Sequence, residues 1–239
     1  MFTEARTLPA KFAELRIDMQ STGDRWLTGY AAVYDTRSHN LGGFVETVRS
    51  SFFDDALAAP KLDVVGAPNH DMSAVVARTG AGLELQSDPV GLRYRMLLDV
   101  GDPVADRISR LVERGVLRGS SFSFVAPMGG EGEQWSKTEQ GYPLRELVSG
   151  ARLYDVGPAT IPAYPATETV GQVALRSLAA ARGLPLDEVL AAAAANTLGG
   201  IIDSDPQDDL VGVSAGQPAS SFRRRNRSVR VLAARNAAR

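Results

Sequence analysis

The sequence predicts a mainly β protein with a few short helices, followed by an alanine-rich, disordered C-terminal tail. Three observations predict it. Up to about residue 168 the apolar residues recur mostly with a period of two, the spacing of a strand with one buried face. These runs are short and are punctuated by Gly, Pro, Asn and Asp, the residues of turns. Beyond Glu168 only one aromatic residue remains, Phe222, and alanine dominates, so little core can be built there.

Phe12, Leu15, Ile17 and Met19 suggest a first strand within residues 1–24. Arg25 to Tyr34 is a second, packed through Trp26, Leu27, Tyr30, Val33 and Tyr34. A polar loop from Asp35 to Gly43 leads into a short strand, Phe44 to Val48. Ser51 to Ala59 reads as a short helix capped by Ser51, with Asp54 and Asp55 in its first turn and Pro60 past its end. Lys61 to Ala67 is the next strand and runs straight into Pro68-Asn69-His70-Asp71. Val75 to Arg78, Gly82 to Gln86 and Val90 to Val100 read as successive strands of a meander, with Ser87-Asp88-Pro89 turning between the last two.

Asp102 caps a helix that Pro103 opens and Gly115 stops; Val104, Ile108, Leu111 and Val112 keep helical spacing along it. The period then changes to two in Gly119-Ser120-Ser121-Phe122-Ser123-Phe124. Ser120, Phe122, Phe124 and Ala126 share one face of that strand, and Ser121, Ser123 and Val125 the other. Met128 to Tyr142 reads as a loop, Leu144 to Val156 as strand, and Gly157 to Pro165 as a stretch broken by three prolines. Val173 to Ala181 and Asp187 to Leu198 are helical stretches with Gly183 and Gly199 as stops. Residues 203–220 have linker composition, and residues 221–239 hold seven arginines and no acid. That end is either a solvated tail or a contact for an acidic surface. The expected organisation is a folded domain over 1–169 and a processable tail over 170–239.

Composition excludes several function classes. No cysteine is present, so disulfides, thiol nucleophiles and thiolate metal sites are absent. The formal net charge of -2 argues against a general nucleic-acid-binding surface. No apolar run is long enough to cross a membrane, and the first residues have no apolar signal core. Neither a phosphate-binding loop nor zinc-ligand spacing occurs.

The serines beside aromatics suggest one more chemistry. Serine acylation needs a hydroxyl, a base within hydrogen-bond reach, and a third group that orients the base. The chain has two histidines, His39 in a polar loop and His70 at a strand end, where its ring can face a cleft. Asp71 adjoins His70, but neighbours on an extended chain point apart, so its expected job is to brace the turn. Asp155 lies inside an otherwise apolar strand and needs a partner; a histidine ring, an arginine or backbone donors would each serve. A half-buried structural strand is the plain alternative reading of the serine segment, and a satisfied structural histidine that of His70.

Taken together, these segments resemble the tailed-phage prohead maturation proteases, serine peptidases that act inside assembling capsids. The resemblance runs from about Gly29 to Thr167. Gly29-Tyr30-Ala31-Ala32-Val33-Tyr34 is similar to the family's opening strand. Leu41-Gly42-Gly43-Phe44-Val45-Glu46 through Ser51-Phe52-Phe53 follows its next block, and Asn69-His70-Asp71 its histidine block. Gly119-Ser120-Ser121-Phe122-Ser123-Phe124 resembles the nucleophile block, and Asp155-Val156-Gly157-Pro158 with Ile161-Pro162-Ala163-Tyr164-Pro165 the acid block. Four places depart from the usual pattern: Ser120 stands where a bulky residue is common, Ser123 where a glycine is common, Gly157 where a serine is common, and Gly66-Ala67-Pro68 where large apolar residues precede Asn-His-Asp.

The resemblance implies an assemblin-like fold, a closed antiparallel β-barrel with peripheral helices. It implies Ser121 as nucleophile, His70 as base and Asp155 as its orienter, with no metal or cofactor. It implies scaffold or capsid-protein scaffolding segments, and the protease itself, as substrates, inside the assembling prohead in the host cytoplasm. A homo-oligomer, a dimer, is expected, with no membrane or specific nucleic-acid partner. Two other classes fit the same residues: an inactive capsid-assembly module of this fold, and a serine hydrolase such as an esterase, against which the missing Gly-x-Ser-x-Gly elbow counts.

Overall fold

The computed structural model describes residues 3–127, 130–160 and 168–204. The expected linker beyond Ser204, the arginine-rich end and the Ile161 to Pro165 segment lie outside the described residues. None of the described helices is long and apolar enough to cross a membrane.

Nine strands form one curled sheet. They are β1 (Glu4–Leu8), β2 (Arg16–Met19), β3 (Arg25–Val33), β5 (Val65–Gly66), β6 (Ala77–Thr79), β7 (Gly82–Ser87), β8 (Gly91–Leu98), β9 (Gly119–Val125) and β12 (Arg152–Ala159). Their order is β1-β9-β12-β5-β6-β7-β8-β3-β2. A second sheet, in the order β10-β11-β4, combines β10 (Glu133–Lys137), β11 (Pro143–Leu147) and β4 (Val45–Val48).

The expected closed antiparallel barrel is therefore corrected to an open, curled sheet in a mixed α/β protein. β1 pairs with β9 and β2 with the Arg25–Thr28 part of β3, and no ladder joins β1 to β2 among the described residues. β1 and β2 remain the two ends of the sheet. Nor is the pairing wholly antiparallel, since β5 runs parallel to β12, β6 to β7, and β4 to β11.

Several expected elements form as read, among them the strands at Arg25–Val33, Val45–Val48, Gly82–Ser87 and Gly91–Leu98. Pro103–Glu113 is a helix, and Asp102 caps it by accepting from the Val104 amide at 2.7 Å. The serine segment is β9, and its Phe122 and Phe124 meet Phe52 and Phe53 inside the curl with ring centroids 5.3–5.5 Å apart. Other stretches differ. Ser51 does not cap; its hydroxyl donates to the Val148 carbonyl at 2.7 Å, and Ser50–Phe53 is a 3-10 turn leading into the helix Asp54–Ala58. The loop expected over 128–142 contains β10, and the expected strand over 144–156 is broken at Val148–Ala151, where Gly150 takes φ 73°.

The expected N-terminal strand is found in part as β2, which holds Ile17 and Met19, and the further strand β1 lies upstream of it with its charges buried. Arg145 is 0% exposed and bonds Glu4, Glu46 and Glu133. Arg6, 8% exposed, adds bonds of 2.6 Å to both Glu4 and Glu46. Three carboxylates and two guanidinium groups thus bind β1, β4, β10 and β11 together. Burial of this kind is tolerated only because each charge faces opposite charges at hydrogen-bond distance. Burial opposes ionisation of Glu4, yet Arg145 and Arg6 outweigh it and hold the carboxyl below its ordinary range. Burial likewise opposes charge on Arg145, and Glu4 and Glu46 overcome it, raising its affinity for its proton.

Three helices follow: Glu168–Arg182, Leu186–Ala194 and Leu198–Asp203. Ala174, Leu175, Leu178, Val189, Leu198 and Ile202 pack with Leu41 and Phe44 into a second apolar cluster, against which Trp135 rests. Gly183, at φ 67°, follows the first of them as expected; the second ends at Ala194, ahead of Gly199.

Candidate active site

The site lies where β9 and β12 run side by side and the loop after β5 crosses them. The two strands pair antiparallel, with Ser123 opposite Asp155 and Ser121 opposite Gly157. A bulge between Leu153 and Asp155 sets which way the acid points. By strict alternation Leu153 and Asp155 would share a face. Leu153 and Val156 instead both join the aromatic core, because the extra residue, Tyr154, reverses the phase and turns Asp155 to the face that carries Ser121 and Ser123.

The histidine arrives on a strained turn. Asn69 and His70 both take left-handed backbone, at φ 52° and 60°. For residues with a Cβ this costs on the order of 1 kcal/mol or more each, and surrounding contacts must hold it. Two contacts do so. The Asn69 side-chain oxygen accepts from the Thr160 amide at 2.8 Å and from its hydroxyl at 3.0 Å, tying the turn to the end of β12. The Ala67 amide donates to the Val156 carbonyl at 3.0 Å. Gly157 makes this approach possible, since a Cβ there would sit 2.1 Å from the Ala67 carbonyl oxygen.

Two of the three expected residues are joined directly. His70 Nδ1 lies 2.6 Å from Asp155 Oδ1, and the acid is 2% exposed. The other ring nitrogen, Nε2, is buried and has no hydrogen-bond partner among the described residues. Ser121 is on the same face of β9 but buried, and its hydroxyl has a long 3.5 Å contact to the Gly157 carbonyl rather than a bond to His70. Asp71 braces its own turn by accepting from the Ser73 hydroxyl at 2.6 Å and amide at 2.9 Å. The Ser73 hydroxyl, and then its amide, hold the Asp71 carboxyl below its ordinary range. His39 is exposed in its loop.

Ser120 points into the core, where its hydroxyl lies 3.0 Å from Tyr94 Oη and 3.1 Å from the Gly157 carbonyl oxygen, which accepts from it. Burial pushes the affinity of the Tyr94 phenol for its proton upward, so it stays neutral there. The contact that sequence reasoning missed is Ser123, whose hydroxyl donates to Asp155 Oδ2. Its shared face with Ser121 was visible in the alternation, but the β9–β12 register that sets it opposite Asp155 was not.

Residues 13–182 match a family described as caudovirus prohead serine protease. Among solved structures the chain is similar to the bacteriophage T4 capsid assembly protease, with 15% identity over 67% of this chain and 97% of that one, at a TM-score of 0.42. No curated protein matches the chain.

Proposed function

The chain belongs to the caudovirus prohead serine protease family, and on that premise we propose that it cleaves peptide bonds through a Ser121–His70–Asp155 triad during capsid maturation. The observation that carries the site assignment is the 2.6 Å bond between His70 and buried Asp155, on the strand face that also bears Ser121. With the carboxylate ionised, Nδ1 donates to Asp155, and Nε2 is left as the acceptor on the far side of the ring. Ser121 Oγ attacks the scissile carbonyl carbon while His70 Nε2 takes its proton. The tetrahedral oxyanion is held by backbone amides, for which the Arg118-Gly119 approach to β9 is the expected source. The C–N bond breaks, the leaving amine takes the proton from His70, and an acyl-enzyme remains. Water attacks the ester, gives a proton to His70, and releases the acid as Ser121 regains its own. No metal or cofactor enters this scheme.

The proposed substrates are scaffold or scaffolding segments of the major capsid protein and the protease itself, within the assembling prohead. A dimer is the proposed assembly state. Because Ser121 is buried, an inactive module of the same fold would look the same at this position. Labelling with a serine-reactive fluorophosphonate separates the two: the protease is labelled at Ser121 and the inactive module is not.

The acids make the roles testable. Asp155→Asn is expected to lower kcat by about 10³- to 10⁴-fold with residual turnover, because Ser121 and His70 still meet without the charge. Asp71→Asn, an exposed turn brace, should change kcat less than about threefold. Measured kcat values that rank the other way reverse the assignment.

We also propose that 1–169 is the catalytic unit and 170–239 an appendage, since every proposed triad residue precedes 169. Truncation after Thr169 removes the helices packed on Leu41 and Phe44, and about 1.5–3 kcal/mol per fully exposed side chain is expected to be lost. The truncated chain should therefore melt earlier yet still be labelled by the phosphonate. A folded truncation that resists labelling, while the full chain is labelled, places the helices within the catalytic unit.

A further inference from the structure

The triad reading uses one oxygen of Asp155 and leaves the other unexplained. That second oxygen, Oδ2, accepts from the Ser123 hydroxyl, and Ser123 is itself 5% exposed. Ser123 lies in β9 directly opposite Asp155 on one side and Ala5 on the other, so its backbone is held by pairing on both sides. Resting on the triad assignment above, we propose that Ser123 is a positioning residue, the fourth member of the relay, which orients Asp155 toward His70.

The physical need comes from the bulge at Tyr154. A bulge frees the strand locally and lets the following side chain choose its direction. Asp155 on such a strand, with one bond to a histidine on a strained turn, has two loosely held partners. A carboxylate pinned at both oxygens has one orientation, and its Oδ1 then faces Nδ1 whether or not the ring is protonated. A hydrogen bond to an ionised acceptor is also among the stronger ones, so the loss is measurable. Ser121 and Ser123 therefore divide the work: two hydroxyls on one strand face, one proposed to react and one to hold the acid. Ser120 takes no part, because it faces the core and bonds Tyr94.

The experiment uses the full chain and a fluorophosphonate probe, whose reaction reads the acylation step without knowledge of the cleavage motif. Ser123→Ala is expected to lower the maximal inactivation rate about 10- to 100-fold with the half-saturating probe concentration unchanged. Ser123→Thr, which restores the hydroxyl, should recover most of that rate. The downfield proton resonance of His70 Nδ1–H should shift in Ser123→Ala and return in Ser123→Thr, which a merely structural role would not do. Wild-type reaction rate and an unmoved resonance in Ser123→Ala, with Ser121→Ala unreactive, overturn the inference and leave the triad intact. Reaction of Ser121→Ala at the wild-type rate, with Ser123→Ala unreactive, overturns the triad assignment itself by making Ser123 the nucleophile. If Ser123→Ala does not fold, Ser123→Thr and Ser123→Gly decide: equal rates in the two overturn the proposal, and a rate retained only in Thr supports it.

Discussion

Ser121→Ala is expected to abolish proteolysis, with a loss of about 10⁴-fold or more in kcat and no labelling by a fluorophosphonate. A nucleophile cannot be replaced by its neighbours when the covalent step passes through its oxygen, and triad members act as a unit. His70→Ala should cost nearly as much, for the same reason. The fold should survive the serine change, because Ser121 gives up only a long contact to the Gly157 carbonyl. Its neighbour provides the contrast. Ser120→Ala removes bonds to Tyr94 and Gly157 inside the core, so it should cost about 1–3 kcal/mol of stability while retaining turnover. Melting temperature and capsid-protein cleavage, measured together, separate the two hydroxyls. Cleavage by Ser121→Ala near the wild-type rate would falsify the assignment.

Arg145→Met should be the most damaging change outside the active site. It leaves Glu4, Glu46 and Glu133 buried with Arg6 as the remaining cation of the group. Breaking a buried charge network by removing one partner costs about 3–5 kcal/mol, a large share of a stability of about 5–15 kcal/mol. Arg145→Lys should rescue little, since one ammonium cannot reproduce bonds fanned to three carboxylates. The same network predicts an acid limit. Glu4 has its folded pKa held below the ordinary 4.5 by Arg145 and Arg6 against the opposing effect of burial. A depressed acid stabilises the fold above its unfolded pKa, and that contribution is lost as pH falls through the lower, folded value. Denaturant midpoints should therefore be flat above about pH 5 and fall below about pH 4. A midpoint unchanged in Arg145→Met, or one that rises on acidification, would refute this account.

The charge network also marks where the sequence stopped being legible. Glu4, Arg6, Glu133 and Arg145 look like solvated positions, so the segments that carry β1 and β10 were not read as buried strands. Their burial depends on partners up to 141 residues away, which no local pattern displays. The helix at Pro103–Glu113 and strand β9 were legible because cap, period and stop all lie within a dozen residues. His70 and Asp155 were singled out by family resemblance and by the cost of an acid in an apolar strand. The resemblance implied that the two meet, but the geometry that brings them together, the Tyr154 bulge and a left-handed turn at Asn69 and His70, is written in no local pattern. Whether the end strands β1 and β2 pair with each other likewise leaves no trace in either strand's composition.

The close approach of Gly157 to Ala67 also bears on how this chain can have changed over evolutionary time. A side chain at 157 would meet the backbone of Ala67, which cannot rotate aside. A serine at 157 would have to displace the segment that carries His70, since its Cβ would sit 2.1 Å from the Ala67 carbonyl oxygen. A chain with serine at that position needs its histidine segment farther from the strand.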